Sequence, residues 1–174
     1  NTIKVGSPDS GSHKMLKLLR DNFDHVILSV GMSHPHEIEE AIKLLSEKNK
    51  FTILHCVSNY PTNIEHANLL RINTLKDIAK KVSGKEAEGG YSDHTLGNDA
   101  CKIAMLLGAK VIEKHFTLKR DFHNKYSSMC ALPEDIRDIC DFAKNLKIYL
   151  GDGRLEMQPG EKENRDIFGG RWGD

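Results

Sequence analysis

Short apolar runs alternate with longer amphipathic segments along most of the chain. The short runs have the length of buried strands, and the longer segments repeat apolar residues at the three- and four-residue spacing of a helix. We predict strands over residues 3–7, 25–29, 51–57, 88–92 and 110–116. We predict helices over residues 12–23, from Pro35 onward, and over 69–82, 98–107 and 133–150.

Five strand-and-helix units in succession predict an α/β fold with a parallel sheet and right-handed crossovers. Two helix ends carry residues typical of those positions, because Pro35 lies in a first turn and Gly108 follows a predicted helix as a left-handed cap. We assign residues 1–150 to this domain. The segment 151–174 is rich in glycine and poor in large apolar residues, so we expect mostly irregular structure there.

The formal charges cancel, with 25 Lys and Arg against 25 Asp and Glu. No long-range field therefore draws the chain to nucleic acid or to an anionic membrane, and any bound anion must be held by local groups. The chain lacks a run of roughly 18 apolar residues and opens without a charged and apolar leader, so we expect a cytoplasmic protein. The four cysteines lack a CxxC spacing, and we expect reduced thiols.

Two histidines lie near the ends of neighbouring predicted strands, His94 just after the fourth and His115 at the end of the fifth. Because neighbouring strands lie ~4.8 Å apart and alternate residues share a face, both imidazoles can point inward, with Ser92 and Glu113 two residues behind them. A single histidine at a strand end is usually structural, but this pairing favours two metal ligands. His55 also lies at a strand end, where it fits a packed residue better than a third ligand.

Polar residues also follow the other predicted strands, at the edge where parallel α/β folds bind ligands. Lys4 is costly to bury without a partner, which favours contact with an anion. Asp9, Ser58 and Asn59 are equally compatible with simple turns.

Five runs of the sequence together resemble the sialic acid synthase family, which includes N-acetylneuraminate, pseudaminate and legionaminate synthases and spore coat polysaccharide synthases. The runs occur in the family's order and cover residues 1–117, with a looser fit to about residue 150. They are Lys-Val-Gly-Ser at 4–7, Leu-Ser-Val-Gly-Met at 28–32, the stretch 54–62, Gly-Tyr-Ser-Asp-His-Thr at 90–95 and Glu-Lys-His-Phe-Thr at 113–117.

The resemblance implies a (βα)8 TIM barrel of which this chain holds only the last five βα units. It also implies a condensation of phosphoenolpyruvate with an N-acylated hexosamine such as N-acetylmannosamine, which releases phosphate and gives a nine-carbon 2-keto acid. The implied cofactor is a divalent metal, Mn²⁺ in the first place, with Mg²⁺ or Co²⁺ as alternatives.

The roles that the resemblance implies fall into three groups. The metal ligands are His94 and His115. The phosphoenolpyruvate contacts are Lys4, Ser7, Ser58 and Ser92. The sugar contacts are Asp9, Asn59, Tyr60 and Asp121, and Tyr60 and Asp9 are also the expected catalytic residues.

Two departures from the family leave alternatives open. Five strands would leave two open edges, so we expect a homo-oligomer or completion by a missing N-terminal segment. The loop at residues 121–128 is shorter and more basic than in the family, so the acceptor sugar is open. One alternative is a noncatalytic barrel remnant or subunit that binds sugar or a partner. Another is a metal-dependent aldolase, although neither a Schiff-base lysine nor a third protein ligand is evident in the sequence.

Overall fold

One parallel sheet forms the centre of the fold in the computed structural model, which describes residues 1–47, 50–121, 123–124, 126–170 and 173. Within that part of the chain the sheet has five strands in sequential order, β1 to β5. The strands are β1 (Thr2–Val5), β2 (His25–Ser29), β3 (Lys50–Cys56), β4 (Glu88–Asp93) and β5 (Val111–Lys114). The helices are α1 (His13–Asn22), α2 (Pro35–Ser46), α3 (Arg71–Ser83), α4 (Asp99–Leu106), α5 (Pro133–Leu150) and α6 (Glu161–Phe168).

The sheet is curled into a half-barrel. Strands β1 and β5 lie at its opposite edges, which in a flat sheet of this order would be about 19 Å apart, four spacings of ~4.8 Å. The Lys4 Nζ atom of β1 nevertheless lies 2.8 Å from Glu113 Oε1 of β5. The two edge strands therefore face each other across a concave side, as expected for part of a TIM barrel.

The register of β4 and β5 fixes which side chains share a face. Ser92 lies opposite Glu113, and Asp93 lies opposite Lys114. Tyr91 packs among apolar residues of the covering helices, so the odd positions of β4 face the helices. Its even positions, Ser92 among them, face the concave side.

The main hydrophobic core lies between the first three strands and the helices α1, α2 and α3. Its fully buried side chains include Leu16 of α1 and Leu45 of α2. The helix ends follow the sequence prediction, because Pro35 begins α2 and Gly108 has a φ of 87° just after α4. All four cysteines are free thiols, of which Cys140 alone is exposed.

The chain divides into two units, residues 1–144 and residues 145–174. The first holds the whole half-barrel, so the structural boundary lies six residues before the predicted boundary at residue 150. In the segment 151–174 the helix α6 is formed, and the other described residues there belong to no helix or strand. No helix in the described part of the chain is both long enough and apolar enough to cross a membrane.

His55 is fully buried on the helix-facing side of β3, as predicted for a packed residue. Its Nε2 atom lies 2.7 Å from the carbonyl oxygen of Ala67, which can only accept, so Nε2 carries the ring proton. Its Nδ1 atom is buried without a hydrogen-bond partner among the described residues. Burial lowers the pKa of His55 below its ordinary value, and the ring is therefore neutral in the fold.

This neutral ring predicts a loss of stability in acid. In the unfolded chain the His55 imidazole titrates near 6.5, whereas the folded chain resists its protonation. The free energy of unfolding should therefore decrease as the pH falls below about 6.5, by up to ~1.4 kcal/mol per pH unit for this one proton. Urea unfolding of the wild type and of His55→Gln at about pH 7.5 and about pH 5.5 measures the difference.

His55→Gln should show a smaller decrease in acid than the wild type, because glutamine does not titrate. The control His66→Gln alters an exposed histidine and should behave like the wild type. An identical pH dependence in the wild type and His55→Gln would show that His55 is not held neutral by the fold.

Candidate functional site

The two histidines lie together at the carboxyl ends of β4 and β5. Their ring centroids are 5.2 Å apart, with an angle of 56° between the ring planes. The His94 side chain is buried, whereas His115 is exposed on the concave side. The sequence prediction that neighbouring strand ends bring these imidazoles together matches the geometry.

The orientation of His94 leaves one ring nitrogen available as a ligand. Its Nδ1 atom lies 2.8 Å from the carbonyl oxygen of Val57, which can only accept a hydrogen bond. Nδ1 therefore carries the proton, and Nε2 keeps its lone pair. This backbone contact is the arrangement that commonly fixes a metal-binding imidazole, so the site fits a divalent metal.

The Cys56 thiol lies beside His94, with its Sγ atom 3.8 Å from Nδ1. Burial lowers the pKa of His94, but its hydrogen bonds to Cys56 and Val57 outweigh burial and raise the pKa above its ordinary value. Burial raises the pKa of Cys56, yet hydrogen bonds from His94 and Ser7 bring it below its ordinary value. Partial desolvation lowers the pKa of His115 below its ordinary value, and the nearby His94 lowers it further.

A charged cluster lies on the same concave side. The Lys4 ammonium pairs with Glu113 Oε1 at 2.8 Å, and the Ser92 hydroxyl donates to the same oxygen at 2.7 Å. Lys4 and Glu113 are each about one-third exposed, so ligands can reach them. Glu113 had no predicted role, although its position two residues before His115 places it on the inner face.

Two predicted anion-binding serines meet around Gly31, at the carboxyl end of β2. The Gly31 amide donates to Ser7 Oγ at 2.9 Å. A Cβ atom on Gly31 would collide with the hydroxyls of Ser7 and Ser58 and would crowd the Cys56 thiol. A glycine is therefore needed here so that two hydroxyl groups can approach one point.

Aromatic rings line one side of the histidine pair. The Tyr60 ring lies 4.3 Å from the His94 ring and 6.0 Å from the His115 ring, centroid to centroid. The Tyr126 ring lies 5.4 Å from that of Tyr60 and stacks on His115 at 6.3 Å. Partial burial raises the pKa of Tyr60, so its hydroxyl is protonated at neutral pH and can donate a hydrogen bond.

The remaining predicted sugar contacts make local hydrogen bonds. Asn59 Oδ1 accepts from the Tyr60 amide at 3.1 Å, and Asp121 Oδ1 accepts from the His123 amide at 2.9 Å. Asp9 Oδ1 lies 3.4 Å from the Ser12 hydroxyl. In the described residues no hydrogen bond or ion pair links these three side chains to the histidine pair, and their roles in sugar binding stay predictions.

The geometry brings two imidazoles together as candidate metal ligands. Among the described residues, no group of three or more His, Cys, Asp or Glu side chains could jointly hold an ion. The pair His94 and His115 would thus leave most coordination positions to water or substrate, as catalytic rather than structural metal sites do.

A parallel half-barrel with its polar groups at the carboxyl ends of the strands is the architecture of part of an α/β barrel. The chain belongs to the NeuB family, whose sequence model matches residues 1–155. The predicted resemblance to the sialic acid synthases is therefore confirmed.

Individual relatives agree with this membership. The chain is 32% identical to the N,N'-diacetyllegionaminic acid synthase of Campylobacter jejuni over 95% of its own length and 49% of that protein. It matches the solved structure of a Leptospira borgpetersenii N-acetylneuraminic acid synthetase with a TM-score of 0.78 and 34% identity, over 95% of this chain and 56% of the other. It also matches the solved structure of a Bacillus subtilis spore coat polysaccharide biosynthesis protein with a TM-score of 0.75 and 27% identity, over 94% of this chain and 49% of the other. The chain spans about half the length of the curated relatives that it matches.

Proposed function

We propose that this chain is the last five βα units of the (βα)8 barrel of a nonulosonic acid synthase. The supporting observation is that an oriented histidine pair and the Lys4–Glu113–Ser92 cluster share one concave strand-end surface. In the proposed reaction, carbon 3 of phosphoenolpyruvate bonds to the aldehyde carbon of an N-acylated hexosamine such as N-acetylmannosamine. Water adds at carbon 2, and the phosphate group leaves.

The phosphoenolpyruvate anion would lie against Lys4 and the hydroxyls of Ser7, Ser58 and Ser92. An ammonium and several hydroxyls are the groups that bind phosphate and carboxylate oxygens through strong, charge-assisted hydrogen bonds. Lys4 pairs with Glu113, and it would turn from that carboxylate toward the incoming anion. Because the chain has no net charge, this local cluster would supply the attraction.

His94 and His115 would hold the divalent metal, Mn²⁺ first, with Mg²⁺ or Co²⁺ as alternatives. When bound, the metal would supply Lewis acidity to the acceptor's aldehyde oxygen. The Val57 carbonyl holds His94 so that Nε2 stays available, and the Tyr60 ring covers the side of both imidazoles.

The acceptor sugar would lie beside Tyr60, with Asp9, Asn59 and Asp121 as polar contacts. The protonated Tyr60 hydroxyl can donate to a hydroxyl or amide oxygen of the sugar. Tyr126, next to Tyr60, would add an apolar surface to this side of the site. A cytoplasmic location, and completion of the barrel by self-association or by a further segment, are parts of the same proposal.

The test of the anion site is Lys4→Ala, for which we expect weaker phosphoenolpyruvate binding. A hydrogen bond to a charged group contributes ~1.5–3 kcal/mol, so the dissociation constant should rise about 10- to 100-fold. Isothermal titration calorimetry of the 174-residue chain measures it, and thermal unfolding checks that the variant is folded.

The matched control is Lys14→Ala, which removes an exposed lysine of α1 with the same change of net charge. It should bind phosphoenolpyruvate like the wild type. Unchanged affinity in Lys4→Ala, or an equal loss in both variants, would contradict the assignment of Lys4 to the anion.

A further inference from the structure

A buried ion pair lies on the helix-facing side of the sheet, directly behind the histidine pair. The Lys114 ammonium of β5 contacts Asp93 Oδ2 of β4, and the two side chains are 3% and 0% exposed. The residues are partners in the β4–β5 register. Each is the chain neighbour of a site histidine, since Asp93 precedes His94 and Lys114 precedes His115.

The Asp93 carboxylate is surrounded by donors. The Tyr91 hydroxyl donates to Oδ1 at 3.0 Å, and the Thr95 amide donates to the same oxygen at 2.8 Å. The Cys101 thiol lies 3.3 Å from Oδ2. Both charges are thus buried and both are satisfied, which is the condition for a buried ion pair to be tolerated.

The pair fixes the backbone on both sides of His94. Asp93 accepts from the Thr95 amide, which closes a turn around the histidine. The Lys114 ammonium also donates to the Thr95 carbonyl at 2.9 Å, so one group on β5 contacts residues before and after His94. Because Lys114 is bonded directly to His115, these contacts set the end of β4 relative to the end of β5.

We propose that Asp93 and Lys114 are positioning residues that hold His94 and His115 at the separation and orientation needed for joint ligation. Neither touches the concave site, so both act through the adjacent histidines. The metal part of this inference rests on the proposed function, whereas the ring orientation is a feature of the chain itself. Well-packed apolar residues can replace a buried ion pair without loss of stability, so these directional contacts suggest a role beyond packing.

The central variants are Lys114→Met and Asp93→Asn, which remove one charge each with little change of volume. The first measurement is Mn²⁺ affinity of the 174-residue chain, from the electron paramagnetic resonance signal of free Mn²⁺. Loss of a group that orients a metal ligand typically weakens affinity about 10- to 100-fold, and we expect that range here. The second measurement, in the metal-free chain, is the ring ¹⁵N shifts of His94 and His115, which should both move.

Three further variants separate positioning from general stability. Leu16→Ala empties part of the remote core and lowers the melting temperature without touching β4 or β5. It should leave the affinity and the ring shifts unchanged. Tyr91→Phe removes only one donor to Asp93 and should give a small change in the same direction as Lys114→Met. Lys114→Arg keeps the charge and should retain more affinity than Lys114→Met.

The inference is overturned if Lys114→Met lowers the melting temperature but keeps the Mn²⁺ affinity within about twofold of the wild type and leaves the ring ¹⁵N shifts unchanged. That is the behaviour expected of Leu16→Ala. If Lys114→Met and Asp93→Asn fail to fold, Tyr91→Phe decides, and unchanged ring shifts in that variant refute positioning. If the wild type does not bind Mn²⁺, the proposed function fails, and the ring shifts alone decide the positioning role.

Discussion

Replacing both His94 and His115 with alanine should abolish manganese binding by this chain. The two rings lie 5.2 Å apart, and the hydrogen bond from His94 Nδ1 to the Val57 carbonyl leaves Nε2 available. In the described residues no third His, Cys, Asp or Glu joins them in a metal-binding group, so little would hold the ion once both are lost. The measurement is bound manganese per chain, by elemental analysis after desalting.

The chain contains a matched control pair. His34 and His36 have ring centroids 5.8 Å apart, but they are stacked and exposed at the start of α2. The variant His34→Ala/His36→Ala should keep the manganese content of the wild type. Equal manganese in the wild type and the His94→Ala/His115→Ala variant would show that the site is wrong.

Acid should release the metal, because an imidazole must lose its proton before it binds. The contacts with Cys56 and Val57 raise the pKa of His94, so protons begin to compete for this ligand above its ordinary value of 6.5.

The five parallel strands and the histidine pair could be predicted because both follow from local periodicity and spacing. In a parallel pair of strands, residues separated by the same number of positions along the chain lie opposite each other. The spacing that pairs His94 with His115 therefore also pairs Asp93 with Lys114. We gave the second pair no role, since a charged residue inside an apolar strand carries no local sign of its partner. The burial of this pair is evident only in the folded structure, where helices pack over this side of the sheet.

The contacts that the sequence did not predict depend on curvature and on loops. Lys4 contacts Glu113 because the sheet curls until its edge strands face each other. The pattern of hydrophobic residues does not predict the curvature of a sheet. Tyr126 reaches Tyr60 from a loop whose path is set by backbone turns rather than by strand parity. The same limit applies to Asp121, whose predicted sugar contact depends on that loop.

The 174-residue chain alone should convert phosphoenolpyruvate and N-acetylmannosamine at close to the background rate. Stabilising a transition state requires a closed, preorganised site, and five strands wall only part of a (βα)8 pocket. Loss of a single strong electrostatic donor costs ~10²-fold or more, so an open half-barrel should lose nearly all turnover. The measurement is phosphate release from both substrates with Mn²⁺.

The open concave side should also make the chain self-associate, because it leaves Tyr60 and His115 exposed between the edge strands β1 and β5. Light scattering measures the mass in solution, and adding a polypeptide with three further βα units from a family relative should restore turnover. A stable monomer with robust turnover would refute the partial-barrel proposal. Metal and phosphoenolpyruvate binding without turnover, even after such completion, would instead favour the noncatalytic alternative, since the ligands would then be held but not brought to reaction.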